Sequence, residues 1–214
     1  QDINVGGEWS VWLGVSPTIL GDDHTHLFTE ARYERWIHTS LESYLRVSAR
    51  TSGRVLAGIG SDLITSLDVA HYYQGLRSQT LVTHFSGSWG HNLDGDTRFT
   101  LGGESGLRGY DARRFDGNKL LLLNLEDRIY WVNDWLHLVS IGFAGFADAG
   151  YVWRAGRSVD LGDLAADIGL GLRFDVTRGS SGTIFRIDYA YPLNQVGQEE
   201  NSRGILSFAT GLAF

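Results

Sequence analysis

Residues 101–110 read LGGESGLRGY, which sets Arg108 among four glycines and just before Tyr110. A glycine-rich stretch can cradle a phosphate, but no Lys-Ser/Thr pair or helical pattern follows this one. The other chemistry on offer is that of the guanidinium, a planar fork that binds carboxylates bidentately. Carboxylates also invite a glycosidase reading, since paired acids do acid–base work. Here they are spread evenly along the chain rather than paired, which argues against that reading. His24 and His26 in GDDHTHL, with Asp22 and Asp23, could be imagined around a metal ion, but a hydrophilic loop tip accounts for them. There is no Gly-x-Ser-x-Gly elbow, and cysteine is absent, which excludes disulfides and thiolate metal sites. The expectation is a protein that is not an enzyme and has no metal and no cofactor.

The elements that must position Arg108 alternate with a period of two. Ala166, Ile168, Leu170, Leu172, Phe174 and Val176 oppose Asp167, Gly169, Gly171, Arg173, Asp175 and Thr177. Phe185, Ile187, Tyr189, Tyr191 and Leu193 likewise oppose Arg186, Asp188 and Ala190, and Leu206–Phe214 repeats the pattern. Leu121–Trp131 sets its leucines against Asn124, Glu126, Arg128 and Tyr130, and His137–Trp153 sets Val139, Ile141 and Phe143 against Gly142, Ala144 and Asp148. Weaker copies lie at Leu27–Ile37 and Leu41–Arg50, with candidates near Glu8–Ser16, Leu63–Tyr73 and Thr80–Gly90. The pattern predicts about ten strands, with about eight as the alternative count, and no helix.

A soluble sandwich buries its apolar faces between sheets, whereas a membrane barrel turns them to lipid. Trp131, Trp135, Tyr151, Trp153 and Tyr191 fall near strand ends, where membrane interfaces hold aromatics. The best segments also reach the about 9–11 residues that a spanning strand needs. Connections alternate from the C-terminus: long at 194–204, short near 178–182, long at 154–163, short near 132–134, then longest at about 92–119. Short periplasmic turns and long outer loops are the bacterial pattern, which puts LGGESGLRGY outside. The expected fold is all-β: one transmembrane antiparallel up-and-down β-barrel over residues 1–214.

A net charge of −7 without a Lys/Arg cluster argues against nucleic acid as a partner. Methionine is absent even at position 1, and Gln1 would suit the first residue after a removed signal peptide.

The chain resembles the BamA-type superfamily, the outer-membrane assembly factors and two-partner-secretion transporters. The resemblance runs over roughly residues 80–214 in family order. Leu107, Arg108, Gly109 and Tyr110 match its signature loop, and Phe146, Asp148 and Gly150 match the Phe-x-Asp-x-Gly strand. Glu126 matches an inward acid between them, and ADIGLGLRF, FRIDYAYPL and the terminal Phe214 are similar to the closing strands. The resemblance implies a long extracellular loop folded into the lumen, with Arg108 on Asp148 and Glu126 as second partner. Asp148 does fall on the same register as the small Gly142 and Ala144. Tyr110 either packs in the lumen or seeds a turn. Glu126, Arg173, Arg186 and Asp188 belong to a static charge network or to a transport pathway.

The family's barrel typically has about sixteen strands behind periplasmic domains, so this chain reads as a C-terminal part or as a short member. Its strands would close alone or pair with a second copy. The family's last-strand signal has a glycine where this chain has Ala209. Ser207, Leu212 and Phe214 carry the rest of that signal.

The implied function is outer-membrane protein insertion or translocation. The implied partners are outer-membrane lipids, client proteins and, in the paired case, a second copy. The alternative is a membrane anchor, translocator or dimeric pore belonging to a larger protein such as a patatin-like lipase.

Overall fold

The computed structural model describes residues 6–20, 24–56, 59–94, 97–135, 139–154, 156–157, 160–176, 184–194, 196 and 203–211. Ten strands form one antiparallel sheet, each hydrogen-bonded to the strands beside it in chain order. They are β1 (Gly7–Ser16), β2 (His26–Ser40), β3 (Ser43–Leu56), β4 (Ile59–Tyr73) and β5 (Gln79–His91), then β8 (Lys119–Trp135), β9 (Val139–Trp153), β10 (Ala165–Val176), β11 (Ile184–Pro192) and β12 (Ile205–Thr210). Between β5 and β8 the chain leaves the sheet and makes a small ribbon, β6 (Phe99–Leu101) with β7 (Phe115–Gly117). The sheet runs up and down from β1 to β12, and no ladder joins those two strands among the described residues. The described residues hold no α-helix, only single 3-10 turns such as Gly103–Ser105.

The two faces have opposite fates. On β8, Leu120, Leu122, Asn124, Glu126 and Arg128 are buried, while Leu123, Leu125 and Ile129 are exposed. On β10 and β11, Asp167, Arg173, Arg186 and Asp188 are buried, while Leu170 is 72% exposed and Tyr189 52%. A water-soluble sheet buries its leucines and exposes its arginines. This one does the reverse, as a wall between lipid and a polar interior must.

Two strand boundaries depart from the sequence pattern. The short turn read near Val132–Asp134 lies inside β8, which continues to Trp135. The pairing with β9 shifts register between Tyr130 and Val132 and again before Trp135, so strict alternation stops where the strand does not. Leu41, read as the start of a strand, sits in the β2–β3 turn and is 92% exposed. The short connection near 178–182, and Leu212 and Phe214, lie outside the described residues.

Candidate functional site

Arg108 reaches its position because the loop before it folds on itself. Gly103 N–H donates to the carbonyls of both Leu107 (2.9 Å) and Tyr110 (2.8 Å), drawing residues 103–110 into a tight knot. Gly102 and Gly106 take φ of 121° and 119°, a conformation that a side chain would strain. Leu101, Leu107 and Tyr110 then pack with Leu120, Leu122 and Ala165 in a small apolar cluster inside the sheet. Phe99, Phe115 and Val152 close over it. Burial of these groups supplies the cohesion that brings a charged residue inside with them.

The knot places the Arg108 guanidinium against the inner face of β8 and β9. Nε donates to Asp148 Oδ2 at 2.8 Å and Nη2 to Asp148 Oδ1 at 2.9 Å, a bidentate pair. Nη1 donates to Glu126 Oε2 at 2.6 Å. The guanidinium lies 3.4 Å from the centroid of the Phe146 ring, a stacked cation–π contact. Burial works against the Arg108 charge, but Asp148 and then Glu126 outweigh it and raise its pKa above the ordinary arginine value. Arg108 therefore stays cationic at any pH the protein meets.

Phe146, Asp148 and Gly150 occupy three successive inner positions of β9, and each has a separate task. Phe146 supplies the stacking face and Asp148 the bidentate acceptor. At Gly150 a Cβ would come 2.8 Å from Leu101 and 3.2 Å from Leu107, so the absent side chain is the space that the loop's leucines fill. Gly109 answers the same need on the loop. A Cβ there would lie 2.6 Å from that of Asp167 and 3.1 Å from the backbone nitrogen of Pro192.

Glu126 is the hub of a wider network. Besides Arg108 it accepts from Arg128 Nε at 2.8 Å and from Arg173 Nη2 at 3.2 Å. Arg173 also donates to Asp188 Oδ1 at 2.5 Å, and Arg186 lies 3.8 Å from the other Asp188 oxygen. Asn124 donates to Asp148 Oδ1 at 2.7 Å and to the Gly106 carbonyl at 2.8 Å, tying strand acid and loop together. His84 contacts Asn124 from β5 at 3.1 Å, and Asp68 lies behind His84 at 3.5 Å. Spacing along the chain assigns no role to Asn124, His84 or Asp167. Their inward parity was visible, but their adjacency depends on strand register, which spacing along the chain does not reveal.

A profile of the Omp85 superfamily domain matches residues 9–214, nearly the whole chain. The chain belongs to the Omp85 superfamily. Proteins of the superfamily are outer-membrane barrels that insert or translocate other proteins. No curated protein is significantly similar to this Omp85 chain. Its ten-stranded, antiparallel, up-and-down sheet with a polar inner face is that of an Omp85 barrel wall. Of the three residues likened to the family's last-strand signal, Ser207 lies on the inner face of β12 opposite Asp188.

Tyr110 is fully buried, and its hydroxyl joins two further segments of this Omp85 wall. Oη lies 2.5 Å from Asn194 Oδ1 and 3.1 Å from the Ala166 carbonyl, and it accepts from the Ala166 N–H at 3.2 Å. Burial pushes the phenol above its ordinary pKa, so it remains a donor. Tyr110→Phe keeps the ring packing and loses those bonds, which should cost about 1–2 kcal/mol. Limited proteolysis should cut the 194–204 connection faster in the variant. Unchanged cutting would remove Tyr110 from any role in tethering that segment.

Higher in the same loop, Asp116 of β7 binds Arg98 and Arg154, each at 3.1 Å. Burial works to raise its carboxyl, but Arg154 and then Arg98 hold it below the ordinary value. These exposed pairs contribute little compared with the buried dock.

Proposed function

We propose that this chain is an integral outer-membrane barrel that inserts or translocates client proteins, and that the LRGY loop is a lock inside its lumen. The observation that carries the reading is the inversion of the two faces together with the buried Arg108–Asp148–Glu126 contact. An apolar outer wall suits lipid, and a charged interior suits a lumen that extended polypeptide can enter. A loop fastened to β8 and β9 by one guanidinium would brace that wall while leaving the β1–β4 side free. There the side chains of the inner Arg32 and Arg50 are about half exposed, at 56% and 50%. Among the described residues β1 and β12 have no ladder between them, and this supports a first–last strand seam that admits clients, because open edges in lipid must find backbone partners.

The test is reconstitution. The protein folded into liposomes should speed insertion of an unfolded outer-membrane barrel client by about tenfold or more over empty liposomes, equivalent to about 1.4 kcal/mol of barrier. Insertion scored as protease protection and heat-modifiable mobility of the client, and unchanged by the protein, would overturn the reading. A stable barrel without such activity would favour the anchor or pore alternative.

A further inference from the structure

Two charged side chains stand inside the strands on the outer face of the sheet, among apolar residues and threonines. Asp127 points outward from β8 between Leu125 and Ile129, midway between the strand ends Lys119 and Trp135. Arg35 points outward from β2 between Tyr33 and Ile37, its stem lying over Gly7 of β1. Neither has an ion-pair partner among the described residues, and Asp127 Oδ1 accepts no hydrogen bond. Lys119, also outward, stands at a strand end, and outward His71 is bonded to Ser43 at 2.6 Å. Charges facing hydrocarbon are rare and are retained where something pairs with them.

Strand register puts the two at one depth. The ladder leads from Asp127 to Leu81, then Tyr73, then Ser43. Arg35 pairs with Val47, further along β3 from the turn that Ser43 adjoins. That perpendicular line reaches the turn end of β3 while β8 still runs on to Trp135, so it descends toward the turn side. Four strand spacings of about 4.8 Å at a tilt of about 40° descend roughly 12 Å, and the climb from Ser43 to Val47 regains roughly 10 Å. Acid and base thus lie level, on walls four strands apart, too far around the sheet to meet within one chain.

Shape agrees with charge. Asp127 pairs in the ladder with Gly145, and a Cβ at Gly145 would meet only Leu170, at 3.8 Å. The missing side chain leaves the surface beside the carboxylate uncovered on that strand. Resting on the outer-membrane reading above, we infer that Asp127 of one copy pairs with Arg35 of the next, joining barrels side by side within the membrane. Because the two patches differ, the contact is head to tail and builds rows rather than closed pairs.

The chain has no cysteine, so engineered cross-links carry no background. Leu125→Cys and Tyr33→Cys each lie two residues from the pair on the same outer faces. They are placed in two differently tagged versions of the full chain, co-expressed and oxidised in intact membranes. A cross-linked species containing both tags is expected. Neutralising the pair with Asp127→Asn and Arg35→Gln, which relieves rather than adds charge in lipid, should cut its yield at least about fivefold. Asp127→Arg should also cut it, and adding Arg35→Asp should restore it. A folded, membrane-embedded protein that gives no mixed cross-link would overturn the inference. So would a yield indifferent to neutralisation, or a swap that restores nothing. Protein that fails to show heat-modifiable mobility or to fractionate with membranes would instead overturn the outer-membrane reading beneath it.

Discussion

Arg108→Ala is expected to lower barrel stability by about 3–5 kcal/mol, because it leaves Asp148 and Glu126 buried without their shared cation. Both acids are essentially inaccessible, at 2% and 1% exposure, so water cannot take over the lost bonds. The readout is the temperature at which the compact gel form converts to the extended one. A second readout is protease access to residues 101–110. Arg108→Lys should recover only part of the loss. One ammonium cannot place two donors on Asp148 and a third on Glu126, nor can it lie flat on Phe146. Because the flanking acids hold the Arg108 pKa above its ordinary value, its protonation gives no alkaline loss of the dock below the titration of free arginine. A variant with unchanged transition temperature and unchanged loop protection would sink the lock.

The pairing of Arg108 with Asp148 and Glu126 is what the family resemblance implies, and periodicity adds only the inward parity of the two acids. Glu126 and Asp148 share inner parity with the small residues of their strands, and a loop arginine flanked by glycine can be carried to them. The unread part has physical causes too. Register between strands set the meeting of His84 with Asn124 and of Asn124 with Asp148, and period-two alternation fixes which face a residue takes but not which residue lies across from it. Asp127 shows a different failure. Alternation gives the outward parity of Asp127 between Leu125 and Ile129 but not what an acid there meets. At the far end of β8 the alternating segment ends at Trp131, where two register shifts break the parity, while backbone pairing carries on to Trp135.

The largest single effect after Arg108 should come from Glu126→Gln, and the reason is where its charge lies. Four buried guanidiniums, Arg108, Arg128, Arg173 and Arg186, face the buried acids Glu126, Asp148, Asp167 and Asp188. Three of those guanidiniums converge on the one Glu126 carboxylate. Glutamine keeps the shape and one acceptor oxygen but removes the charge and turns a donor toward a cation. The unbalanced positive charge then sits in the interior, where salt screens it weakly. The expected loss is again about 3–5 kcal/mol, seen as a lower transition temperature of the compact form. Asp148→Asn should do less damage to the rest of the network, since Arg108 would keep Glu126 and Asn124 would keep the Gly106 carbonyl. Combining Glu126→Gln with Arg173→Met should recover part of the stability by removing one of the stranded cations. If Glu126→Gln costs under about 1 kcal/mol, or if Arg173→Met adds its own loss in full, the three arginines are not sharing that carboxylate and the hub assignment fails.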